Sequence, residues 1–67
     1  MTLGQTVITP NGKGIYQFPM WSEGIRIEMV SHAVTAEIDR EKCQACYGNG
    51  QGIWYLCGYR PEEVKEL

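Results

Sequence analysis

The stretch Gly4-Gln5-Thr6-Val7-Ile8-Thr9-Pro10-Asn11-Gly12-Lys13-Gly14-Ile15-Tyr16 limits what this chain can fold into more than any other. Two short runs containing β-branched residues flank a Pro-Asn-Gly bend. Pro presets φ for a turn and Asn-Gly tolerates positive φ, so the bend is turn chemistry. Gly14 lets the second run bend or approach another backbone closely. The segment reads as strand, tight turn, strand. The second strand runs from Lys13 to about Met20, and Pro19 ends it or lies on an edge.

Length sets the next limit. A chain of 67 residues makes one domain, residues 1–67. A domain near this size buries only about 60% of its unfolded surface, and such chains often take a staple, a metal or a partner subunit to be comfortably stable. Eight glycines beside two Trp, four Tyr and one Phe favour a mostly β fold with many turns. The net charge is −2, and the six Lys and Arg are scattered. A nucleic-acid domain shows a basic stripe, so nucleic acid is not the expected partner; Lys13, Arg26, Arg40 and Lys42 could make only a local patch. No apolar run of about 18 residues points to a membrane span. No charged segment followed by an apolar one marks a secretory signal. Three cysteines suit a reduced cytoplasmic protein better than a secreted disulfide framework.

Further along, Ser22-Glu23-Gly24 is a turn. Gly24–Val30 then alternates with period two, which predicts a half-buried strand with Ile25, Ile27 and Met29 inward and Arg26 and Glu28 outward. Ser31-His32 reads as a connection. Ala33–Ile38 alternates again, with Val34, Ala36 and Ile38 inward, so the two runs predict a hairpin. Asp39-Arg40-Glu41-Lys42 is a charged turn or a single helical turn. The glycines of Gly48-Asn49-Gly50-Gln51-Gly52 reverse the chain. Gly52–Tyr59 is the last clear strand, apolar on both faces and therefore central or covered twice. Residues 43–58 thus form a Cys-containing hairpin, within the sheet or appended to it. Pro61 and the acids after it suit a short C-terminal helical turn; a 3-10 turn leading into a short closing strand fits equally. Val64 and Leu67 are expected to pack back on the core.

The pattern Gly4-x-x-Val7-x-x-Pro10-x-Gly12-x-Gly14-x-x-Gln17 resembles the first hairpin of SH3-like and Tudor-like barrels. It is similar in particular to the RNA polymerase-interacting domains of CarD-type regulators and of the transcription-repair coupling factor. The resemblance covers about a fifth of the chain. It implies a small SH3-like barrel of about five strands and, by analogy, an adaptor contacting RNA polymerase. The chain also resembles the plasmid-borne type II dihydrofolate reductases in length and fold. Their Val-Gln-Ile-Tyr motif has its nearest counterpart in Val34-Thr35-Ala36-Glu37-Ile38, which lacks the Gln and Tyr, so the activity is not carried over. Cys43-x-x-Cys46-x-Gly48-x-Gly50 resembles one half-module of the zinc domain of DnaJ-type chaperones. Cys57 stands at the third ligand position and Arg60 at the fourth.

Three states fit the cysteines. The first is reduced, partly buried thiols, since free Cys behaves as a small hydrophobe. The second is a zinc site on Cys43, Cys46 and Cys57, with His32, Asp39 or a partner subunit as fourth ligand. The third is a disulfide. Nucleophilic catalysis needs a Cys or Ser beside a His and an orienting acid, and the single His stands between two predicted strands, so no enzyme is expected. The aromatic residues point instead to binding. Aromatics on adjoining loops of a small barrel can form a peptide groove or cage. Tyr16, Phe18, Met20, Trp21 and Tyr59 are the expected binding residues, and Trp54 is expected in the core. The sequence therefore predicts a non-enzymatic protein-binding module that captures a protein partner or itself as a homo-oligomer, with a structural zinc module as the alternative.

Overall fold

The computed structural model describes residues 1–33, 37–48 and 54–67. The protein is mostly β. Six strands, β1 Thr6–Thr9, β2 Gly12–Ser22, β3 Ile25–Ala33, β4 Ala45–Gly48, β5 Trp54–Tyr59 and β6 Lys65–Glu66, form one antiparallel sheet in the order β4-β5-β3-β2-β1-β6. Among the described residues, β4 and β6 pair no further strand, so the sheet is not closed into a barrel. The strand count exceeds the expected five through two-residue β6. It follows a single 3-10 turn, Pro61–Glu63, as in the expected alternative of a 3-10 turn leading into a short closing strand.

The local chemistry of each turn explains the hairpins. Thr9 pairs with Gly12 across Pro10-Asn11, and Gly12 takes φ +95°. Between β2 and β3, Glu23 and Gly24 both take positive φ, 54° and 79°. That is the primed two-residue turn whose twist matches the flanking strands. Gly14 is required by contact rather than by φ. A Cβ there would collide with the Val30 side chain and lie 2.8 Å from the Ser31 carbonyl oxygen.

The predicted hairpin of Gly24–Val30 with Ala33–Ile38 does not form. β3 runs without interruption through Ser31 and His32, and its partners are β2 and β5. Both residues suit the sheet interior because their side chains bond there. Ser31 Oγ accepts from Gln17 Nε2 at 3.0 Å, and His32 is hydrogen-bonded at both ring nitrogens. Ile38 lies outside the strands and packs against the core. Val34, Thr35 and Ala36 fall outside the described residues, as does most of the glycine-rich turn, residues 49–53.

β2 also outruns its prediction, passing through Pro19 to Ser22. Pro19 is tolerated because β1 covers β2 only from Gly12 to Ile15, leaving the distal half as an edge on that side. At Gln17 the β2–β3 register slips, from Tyr16 opposite Val30 to Phe18 opposite Met29. This bulge inserts one residue and sharpens the local bend.

The sheet has two apolar faces. Val7, Tyr16, Val30, Cys57, Tyr59 and Val64 make the core on one of them. Glu28 lies on that same face by alternation with Val30 and is only 1% exposed, which reverses its predicted outward orientation. Its Oε1 pairs with Arg26, while Oε2 has no partner among the described residues. Ile27 and Met29 are buried on the other face, close against Gly58. Ile25 is exposed. Leu67, expected in the core, is 75% exposed; the chain turns back through Val64 alone.

Candidate metal centre

Three segments carry the cysteines to one place. Cys43 follows the 3-10 turn Arg40–Lys42, which Asp39 caps by accepting from the Glu41 backbone N–H at 2.9 Å. Asn11, in the first turn of the chain, fixes that cap from outside. Its Oδ1 accepts from the Asp39 N–H at 2.9 Å and its Nδ2 donates to the Asp39 carbonyl at 3.1 Å. The Gln44 N–H then donates to the Gly58 carbonyl at 2.7 Å, which starts the β4–β5 pairing. In that pairing Cys46 stands directly opposite Cys57. Cross-strand partners share a face, so both thiols reach the same side, where Cys43 joins them.

The three Sγ atoms all lie within 4.8 Å of one another, and Cys46 and Cys57 are 3.5 Å apart. Thiolates on one zinc ion at about 2.3 Å stand roughly 3.8 Å from each other in a tetrahedron. The cluster is therefore close to ligating distance already. Cys57 is fully buried, whereas Cys43 and Cys46 are half-buried, so the site opens outward. Burial pushes the Cys57 thiol up to about 12, with the hydrogen bond and charge of Cys46 and the charge of Cys43 adding to it. Burial also raises Cys43, followed by the charge of Cys46. Without a cation the thiol form is favoured at both sites. A metal ion supplies the charge that makes adjacent thiolates stable, and takes the place of their protons.

The candidate fourth ligands are not in this cluster. His32, only 2% exposed, is engaged elsewhere: Nδ1 is 2.9 Å from the Lys13 carbonyl oxygen and Nε2 is 2.7 Å from the Tyr59 hydroxyl. A carbonyl can only accept, so Nδ1 carries the proton and Nε2 accepts from Tyr59. Burial lowers the His32 pKa, against the raising effect of the Lys13 hydrogen bond. Asp39 serves as a cap. Arg60, at the fourth position of the zinc-module resemblance, precedes the Pro61–Glu63 turn and donates its backbone N–H to Glu63 Oε1 at 3.2 Å. Among the described residues, no His, Asp or Glu completes the site.

The predicted binding residues separate into two groups. Tyr16 and Tyr59 are core residues, 2% and 0% exposed. Burial raises both hydroxyls, and that of Tyr59 reaches about 12. Phe18 and Trp21 are exposed and Met20 is half-buried. Phe18 pairs with Met29 and Trp21 with Arg26, which puts the two rings on opposite faces. Instead, the structure brings Phe18 to Trp54, across a cleft of about 420 Å³ lined also by Ile15, Ala33 and Leu56. Trp54 is 40% exposed and not in the core. The sequence contained half of this signal, because Trp54 and Leu56 share a face in any strand. Their position opposite Ile15 and Phe18 depends on β3 lying between β2 and β5.

A comparison of the chain with protein families, with curated proteins and with solved structures finds no match.

Proposed function

We propose that this chain is a small non-enzymatic β module held together by a structural zinc ion on Cys43, Cys46 and Cys57. The convergence of three thiols from three segments to within 4.8 Å supports this reading. Three protein ligands leave a fourth position, and the half-buried Cys43 and Cys46 leave it open to water or an external donor. Soft thiolates select zinc or copper(I) over magnesium or calcium. An ion joining β4, β5 and the preceding turn would add what a core of this size lacks. Native mass spectrometry of reduced, freshly purified protein tests the reading. One zinc per chain is expected, removable by a chelator and absent from Cys57→Ala. Folded protein that takes up no zinc would overturn it.

The second reading is a protein-docking surface, and the exposed apolar cleft between Phe18 and Trp54 favours it. We read the sheet as SH3-like on the strength of its first hairpin, the bulged long second strand and the 3-10 turn before the last strand. Contact with RNA polymerase remains the proposal attached to that resemblance. A reducing, cytoplasmic setting suits three free thiols.

A further inference from the structure

The second face of the sheet carries more apolar surface than a solvated face needs. The pairing register places Tyr47, Leu56, Ser31 and Ile15 in one row across β4, β5, β3 and β2. It places Ala45, Gly58, Met29 and Phe18 in the next. Neither row contains a charged residue. Charges of this face are displaced to its β1–β6 end, where Lys13 and Lys65 flank Ile8. At the centre, Gln17 and Ser31 satisfy each other through a 3.0 Å hydrogen bond.

An antiparallel sheet commonly turns one face to water and alternates polar residues there. This one does not alternate. Phe18, Tyr47 and Trp54 are 46%, 54% and 40% exposed, and Ile15 and Ile25 are 39% and 53% exposed. At about 150–250 Å² per aromatic side chain, the three rings alone present roughly 200–350 Å². With the isoleucines, the face falls among the largest patches found on monomers, about 300–600 Å². The chain itself closes the core face, where Val7, Val30, Cys57 and Tyr59 are fully buried, whereas Phe18, Tyr47 and Trp54 of the second face stay open.

We infer that a second copy of this chain covers this face, by packing the same face across a twofold axis. This rests on the docking reading above and names its partner. An isologous interface sets a patch against itself, so like charges in the patch would meet. An uncharged centre avoids that penalty, while the chain's net charge of −2 lies elsewhere. Phe18 and Trp54 would form the interlocked centre, and the exposed side chains supply about half of the roughly 800 Å² per partner that a standard interface buries.

Sedimentation equilibrium of reduced protein from about 5 to 500 µM, with and without chelator, tests this over micromolar to sub-millimolar dissociation constants. The expected mass is twice the 7.6 kDa of the chain. Phe18→Lys and Ile15→Lys, each folded by circular dichroism, are expected to weaken the dimer at least a hundredfold. A folded monomer throughout overturns the inference, including one that binds lipid vesicles instead. A dimer indifferent to both substitutions overturns it as well. A dimer that separates under chelation while the chain stays folded is bridged by metal and also overturns it, while sparing the zinc reading. If both variants unfold, the wild-type melting midpoint must rise with concentration, and a flat midpoint overturns the inference. A monomer in which a soluble paramagnetic probe cannot reach Phe18 and Trp54 would overturn the docking reading too.

Discussion

His32 donates from Nδ1 to the Lys13 carbonyl and accepts at Nε2 from the Tyr59 hydroxyl, which in turn accepts from Asn11 Nδ2 at 3.1 Å. This buried chain of polar groups is satisfied with a neutral imidazole; a second ring proton would force the Tyr59 O–H to turn away from Nε2. The folded pKa is lowered, chiefly by burial. The unfolded chain therefore binds the proton more readily below about pH 6.5. The resulting stability is fully present above that value and is lost as pH falls through it toward the folded pKa. Denaturant midpoints should drop between pH 7.5 and 5.5. An NMR titration of the His32 ring with a midpoint at or above 6.5 would count against this. Nothing local in Ser31-His32-Ala33 reveals the role. The ring's partners are 19 and 27 residues away in sequence.

Among the elements, the β2–β3 hairpin carries a bulge at Gln17 and one unfavourable turn residue. Glu23 occupies the left-handed region at φ 54°, where an ordinary L-residue costs roughly 1–2 kcal/mol. Asn is favoured at that position of the turn, and Asn-Gly is its preferred pair. Glu23→Asn should therefore stabilise the fold by about 0.5–1 kcal/mol, or roughly 2–8 °C in a domain of this size. A lowered melting temperature would mean that the Glu23 side chain matters more than its backbone. This turn was readable from Ser22-Glu23-Gly24, as were Pro10-Asn11-Gly12, the Asp39-led turn and Pro61, because each depends on adjacent residues. Cys43-x-x-Cys46 with a later Cys57 was readable too, since a hairpin folds those positions together. The continuation of β3 through His32 was not. Alternation repeats on both sides of Ser31-His32, and only competition from β5 decides between a second hairpin and one long strand.

In the whole molecule, metal binding and folding are the same equilibrium if the cysteines assemble only in the native state. A ligand at a thousand times its Kd adds about 4 kcal/mol. At about 4–8 °C per kcal/mol for a chain of this length, zinc saturation should raise the melting midpoint by roughly 15–30 °C. Calorimetry with and without chelator checks this, and coincident melts would remove the ion from the stability of the fold. The amino-acid sequence by itself determined the β class, the turns and the pair Cys43 and Cys46, because turn chemistry and period-two patterning act over a few residues. The tertiary structure alone decided that Tyr16 and Tyr59 are core, that Glu28 is buried, that Phe18 meets Trp54, and that His32 stays apart from the thiols. Each of those depends on register, and a shift of one residue turns every side chain of a strand to its other face. Register is set by strands far apart in the chain, so its outcome appears only when the sheet is assembled.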